Sequence, residues 1–277
     1  MESSSRSRFS RQMNRAALYL IAILVALYII IPIYLISVMA FSPREVVYNY
    51  PKPIIPNQIS TDTLTFFLNS YGILDSVKNS LVVALLTLAI SLMVGAPAGY
   101  ALARYIFPGK DFYRIMILST RAFPVVILSI PLITTYIRWN LDDSNLGVAL
   151  MHTAMALPTT ILVTSSVFVG VSKDLEEAAM TMGCNRLQAF RRVALPLALP
   201  GLAASAIFTF VLSWNEVFAA AILTVRNQTL PARLIVQLNQ SPIPFRFAGG
   251  FFILIPAIIF MLFVRRYLLS LWGVKLK

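Results

Sequence analysis

The residues in this chain that could do chemistry fall into two groups. The first is the segment VSKDLEEAAMTMGCNRLQAFRRVALPLALP at 171–200. Asp174 is placed to cap a helix, with Glu177 three residues on as its capping-box partner. Ala178 and Ala179 extend that helix and are small enough to let another protein approach closely. Gly183 suits the left-handed residue that ends a helix. Asn185 then caps a second short helix through Val193, stopped before Pro196. The spacing predicts helix, glycine turn, helix, with Glu177 either completing the cap or pairing with a partner's cation. Arg186, Arg191 and Arg192 offer charge to acidic residues of a partner or to lipid headgroups. The second group is Arg121 and Glu216, charged residues set well inside apolar stretches. An ionisable group in hydrocarbon is costly and faces a cavity or a partner. Arg121 and Glu216 are expected to line a path and, if they interact, to do so directly or through water.

Several chemistries have no residues to carry them. G-x-x-x-x-G-K-[ST], which would cradle ATP phosphates, does not occur. Neither does G-x-S-x-G or H-E-x-x-H. A single histidine, His152, makes no metal-ligand cluster and reads as a hydrogen-bonding core residue. A single cysteine, Cys184, rules out an internal disulfide. A membrane enzyme is therefore the weaker alternative. An ion-coupled secondary carrier is the stronger one, but it gives the 171–200 segment no purpose, and no internal repeat supports an inverted-repeat design.

The elements that hold these residues are apolar. Of 277 residues, 58% are hydrophobic and 12% charged, and the mean hydropathy is +0.77. Such a chain cannot hide its apolar surface in a water-facing globule. The apolar residues form blocks at 16–41, 79–103, 113–135, 147–170, 199–224 and 249–271. Each block is long enough to cross ~30 Å of hydrocarbon as a helix. The fold class expected is an all-α membrane protein of six transmembrane helices in one domain, 1–277. The first block is too long for a signal peptide's apolar core and has no small-residue cleavage site after it, so it is expected to be retained.

The net charge of +12 could suggest nucleic acid, but it is spread through short loops between apolar blocks. The partner it implies is the lipid bilayer, not nucleic acid. Lys and Arg set the orientation. One side carries Arg6, Arg8, Arg11, Arg15, Arg104, Lys110, Arg114, Lys173, Arg186, Arg191, Arg192, Arg265, Arg266, Lys275 and Lys277. The other carries Arg44, Lys52, Lys78, Arg138, Arg226, Arg233 and Arg246. The richer side is expected to be the cytoplasm, with both termini and the basic 1–15 segment there. The loops 42–78 and 225–248 then lie outside, as connectors or as surfaces for an external partner.

Glu177-Ala178-Ala179, Gly183 and Val193-Ala194-Leu195-Pro196 together resemble the EAA motif of permease subunits of binding-protein-dependent ABC importers. Val193 stands where isoleucine is commoner. The placement agrees, since 171–199 joins the fourth and fifth blocks. Asn79-Ser80-Leu81, Tyr100-Ala101-Leu102-Ala103-Arg104 with Phe107 and Gly109, Phe123-Pro124, and Ser213-Trp214-Asn215-Glu216 are similar to the carbohydrate-uptake branch, and to the smaller permease of maltose-type transporters. The tail Trp272-Gly273-Val274-Lys275 is shorter than is common there.

The resemblance implies a type I ABC importer permease fold in a bacterial or archaeal plasma (inner) membrane. It implies that the 174–196 loop docks on a cytoplasmic ATPase through Glu177, Ala178, Ala179, Gly183, Arg191, Leu195 and Pro196. It also implies a second homologous permease, two copies of the ATP-binding subunit and an extracytoplasmic solute-binding protein. ATP and Mg are then used by the ATPase, and no cofactor is bound by this chain. Arg121, Trp214, Asn215 and Glu216 would line the path for a sugar, polyol or glycoside, with Trp214 either stacking on a sugar face or anchoring at the interface. A permease for a non-carbohydrate solute is the alternative within the same family.

Overall fold

A computed structural model describes residues 2–56 and 58–271, with side chains described for 15–56 and 58–262. The side chains of Arg6, Arg8, Arg11, Arg265 and Arg266 lie outside that range, as does the whole Trp272–Lys277 tail. Among the described residues five helices are long and apolar enough to cross a membrane, with a sixth where one bent pair counts as a single span. The chain divides into two compact units, Met1–Ser70 with Ser241–Phe252, and Tyr71–Gln240 with Ile253–Lys277.

In the first unit a single helix runs Glu2–Ala40. After Arg15 it is apolar on every side and exposed over most of its length, as expected of a helix facing lipid or another subunit. Beyond it, the stretch read as part of an outer loop is folded. It holds two short helices, Arg44–Tyr48 and Asp62–Leu68. Val47 and Phe67 are fully buried. Phe67 meets the rings of Phe245 and Phe252 at 4.9 and 5.4 Å. Thr63 Oγ1 donates to the Ser42 carbonyl at 2.7 Å, and Ser60 N to Phe41 O at 2.8 Å. Apolar residues spaced along a polar stretch give it a small core of its own. Residues 73–78 are the start of the next span, Ile73–Arg104.

The second unit is built on the second span, Ile73–Arg104, the fourth, Asn145–Val169, and the fifth, Arg186–Asn215. In lipid no hydrophobic force separates helix from tail, so small residues and interhelical hydrogen bonds set the packing. A Cβ on Gly99 would sit 2.7 Å from Ser165 N, and one on Gly95 would sit 2.6 Å from Thr160 Cγ2. Backbones of the second and fourth spans can approach that closely only with glycine at both places. Thr164 Oγ1 donates to the Gly95 carbonyl at 2.9 Å, and Thr160 and Thr209 hydroxyls lie 3.1 Å apart between the fourth and fifth spans.

The third block departs from the single helix expected over 113–135. It consists of Lys110–Ser119, a tight turn Thr120–Ala122, and Val125–Arg138, with the two arms bent by 88°. Pro124 has no N–H for the preceding turn and pushes Phe123 out of the helical region, to φ −77°, ψ 119°.

The fifth span departs at both ends from the 199–224 block. The helix beginning at Arg186 is not stopped before Pro196. It widens into a π turn at Phe190–Ala194 and continues as Leu195–Asn215. The N–H that Pro196 lacks falls next to that widened turn, where regular α bonding is already interrupted. At the far end the helix stops at Asn215, Glu216 is extended, and a separate helix runs Phe218–Leu223. The final helix is Ile243–Leu271.

Candidate functional site

Two polar constructions stand out in the second unit, one at the Arg104 end of the second span and one in its interior.

The first is the helix-turn-helix after the fourth span. Ser172, not Asp174, caps its first helix, accepting from Asp174 N at 3.3 Å, and the helix runs Lys173–Thr181. The cap lies two residues earlier than expected because Asp174 is already in the first turn, where its charge suits the positive helix end. Glu177 therefore makes no capping box and is exposed. Gly183 has φ +95°, the left-handed turn expected of it, and a Cβ there would touch nothing within 4 Å. Its role is conformational, not steric. Asn185 and Gln188 form the reciprocal capping box of the following helix, at 2.8 and 2.9 Å.

This element has two faces. Leu175, Glu177, Ala178, Met182 and Leu187 are exposed together with Arg191 and Pro196. Ala179 is buried and Leu195 half-buried. The expected docking set is therefore split, with Ala179 and Leu195 supporting the face that Glu177 and Ala178 present. Glu176, which sequence reasoning passed over, is buried. Its Oε1 lies 2.6 Å from Arg104 Nη2 and accepts from Arg104 Nε at 2.8 Å. Its Oε2 accepts from the Tyr100 hydroxyl at 2.5 Å. The available signal was the i, i+3 spacing of Glu176 and Ala179, which puts both on one face of the helix.

The second construction joins three spans. His152 is fully buried; its Nδ1 lies 2.9 Å from Ser213 Oγ, and Ser213 Oγ donates to Thr87 Oγ1 at 3.2 Å. His152 Nε2 lies 3.0 Å from Glu216 Oε2. The Glu216 carboxylate also accepts from the N–H groups of Ala219 and Ala220, at 3.1 and 3.2 Å. Glu216 thus fills its acceptor sites with a histidine and the first turn of the Phe218–Leu223 helix. Among the described residues Arg121 makes no contact with it, and lies exposed at the bend.

Arg121 does reach open space. It borders a cavity of about 630 Å³ with Phe123, Leu132, Met151 and Met155, and another of about 330 Å³ with Thr159, Ser205, Phe208 and Thr209. Thr159 Oγ1 and Ser205 Oγ are buried there with no hydrogen-bond partner among the described residues. Trp214, by contrast, is buried, its indole N–H donating to Ile253 O at 2.8 Å and its ring stacked on Phe210. It offers no free ring to a solute. Asn215 is exposed, its amide turned back to Val211 O at 3.0 Å. The four residues expected along a path are therefore not gathered in one place.

Comparison with known proteins places this architecture. Residues 95–271 match the family described as binding-protein-dependent transport system inner membrane component. The trehalose transport system permease protein SugB of Mycobacterium tuberculosis is 31% identical over 253 residues, covering 89% of this chain and 92% of that one. The diacetylchitobiose uptake system permease protein DasC of Streptomyces coelicolor is 29% identical over 212 residues, 76% of this chain and 77% of that one. A bacterial ABC transporter chain involved in import of the polysaccharide alginate shares the fold, with a TM-score of 0.76 at 22% identity, over 94% of this chain and 98% of that chain. With its multi-pass helical fold, this chain belongs to the family of inner-membrane components of binding-protein-dependent transport systems.

Proposed function

We propose that this chain is one half of the translocation path of an ATP-driven importer for a small polyhydroxylated solute: a sugar, polyol or glycoside. Relatives named for trehalose, diacetylchitobiose and sulfoquinovosyl glycerol support that solute class. The chain hydrolyses no ATP. Two copies of a cytoplasmic ATP-binding subunit, using ATP and Mg, drive it. A second, homologous permease supplies the other half of the path, and an extracytoplasmic solute-binding protein delivers the solute. The complex sits in a bacterial plasma (inner) membrane with both termini of this chain inside.

The observation that carries the coupling role is the two-faced element at 172–196. It exposes the apolar Leu175, Ala178, Met182 and Leu187 and the Glu177 carboxylate, while Glu176 and Ala179 of its first helix are buried. A surface of that kind suits a cleft in a partner protein better than it suits water. Closing of the ATPases on ATP would move the docked helix and shift the path between inward- and outward-facing states.

The test is reconstitution. The complex with its binding protein should hydrolyse ATP faster when the correct solute is added, and this chain alone should hydrolyse none. Hydrolysis by the lone chain after removal of contaminants would contradict the proposal.

A further inference from the structure

We propose that Glu176, clamped by Arg104 and Tyr100, is the rigid joint that carries movement of the Lys173–Thr181 helix into the second span. The inference rests on the coupling role given above to that helix, and it identifies the residues that make the coupling stiff.

The Lys173–Thr181 helix buries only two side chains, Glu176 and Ala179. A methyl group gives little grip, so the carboxylate sets how the helix is held. Its partners come from the last turns of the second span. Arg104 binds Glu176 with two nitrogens, and Arg104 Nη2 also donates to Val171 O at 2.8 Å, at the end of the fourth span. Tyr100 gives its hydroxyl to Glu176 and packs its ring against Phe168 and Phe190, with centroids at 5.3 and 4.6 Å. One carboxylate therefore links the second span, the fourth span, the docking helix and the start of the fifth.

Both charges are withdrawn from water, with side chains 8% and 7% exposed. A buried pair is poor at adding stability, because desolvation offsets its attraction, but removing one partner is severe. Apolar side chains could slide over one another at such a contact, whereas a carboxylate held by directed hydrogen bonds tolerates little displacement. That property suits a joint that must transmit a push without slipping. A loose joint would let the ATPases cycle while the spans stay still. Glu176 is thus a positioning residue, acting on the path through Arg104.

The test uses the full complex, reconstituted with its binding protein. Glu176→Gln keeps the shape and removes the charge; Tyr100→Phe removes one hydrogen bond and is the milder change. Both should still assemble with the ATPase, Glu176→Gln in lower yield because it leaves the Arg104 charge unpaired, and the assembled complexes should hydrolyse ATP, yet solute taken up per ATP should fall, by about ten-fold in Glu176→Gln and less in Tyr100→Phe. Arg104→Lys, which keeps the charge but not the fork, should lie between wild type and Glu176→Gln. A purely structural role would lower complex yield and uptake together and leave uptake per ATP unchanged. That outcome, or wild-type uptake per ATP in both Glu176→Gln and Tyr100→Phe, overturns the joint. Glu177→Lys is the separate control: normal assembly and uptake in that variant would instead overturn docking through this element.

Discussion

His152 Nε2 and Glu216 Oε2 stand 3.0 Å apart, tying the fourth span to the break that ends the fifth. Because Glu216 also holds the first turn of the Phe218–Leu223 helix, the pair fixes where the chain turns after Asn215. Both groups are withdrawn from water, the histidine completely and Glu216 to 8% exposed.

Glu216→Ala and His152→Ala are each expected to lower uptake and the unfolding temperature of the purified complex. Each leaves a buried polar group without its partner, a loss on the order of 1–3 kcal/mol. Glu216→Gln should be milder, since its one amide oxygen still accepts from Ala219 or Ala220. The double variant should lose less than the sum of the singles. Arg121→Ala combined with Glu216→Ala should instead be additive. Measured coupling between Arg121 and Glu216, with none between His152 and Glu216, would contradict this geometry.

The cavity beside Arg121 makes a second prediction. Thr159 Oγ1 and Ser205 Oγ have no partner among the described residues, and they border about 330 Å³ of open space. If a hydroxyl-rich solute passes there, Thr159→Val and Ser205→Ala should each raise the solute concentration for half-maximal uptake by about five-fold, the worth of one hydrogen bond. Solute binding to the isolated binding protein should not change. Unaltered uptake kinetics in both variants and in Arg121→Ala would remove these residues from the path.

Topology is open to direct chemical test. Native Cys184 and a cysteine placed by Asn239→Cys are expected on opposite sides of the membrane. An impermeant thiol reagent added to sealed cells should label the second and spare the first. Labelling of Cys184 from outside would invert the orientation and detach the 172–196 element from any cytoplasmic ATPase.

The helical content and the helix-turn-helix at 172–196 were legible because their signals are local. Long apolar blocks give spans, and Gly183 and Asn185 act within a few residues of where they stand. The capping residue was misplaced by two positions because Ser172, Asp174 and Glu177 all carry capping chemistry, and only geometry chooses among them. The bend at Phe123–Pro124 was written in the sequence as a proline, yet prolines also occur inside straight runs of helix here, at Pro97 and Pro158. The partners of Glu176 and Glu216 were not legible. Arg104 lies 72 residues from Glu176 and His152 lies 64 from Glu216, so spacing along the chain says nothing of either pair. Opposite charge suggested Arg121 for Glu216, and a neutral-looking histidine took the place because the fourth and fifth spans pack together.

The most direct measurement is ATP-driven uptake of a labelled sugar by the reconstituted complex carrying Gly183→Val. A β-branched residue at φ +95° is strained by at least about 1–2 kcal/mol, and a Cβ there meets nothing within 4 Å. The change should therefore disturb the turn and little else. The account predicts that the variant inserts and pairs with its partner permease at wild-type levels, while recruitment of the ATPase and uptake both collapse. Wild-type uptake from Gly183→Val at normal expression would contradict the claim that a separate ATPase drives this chain through the 172–196 element.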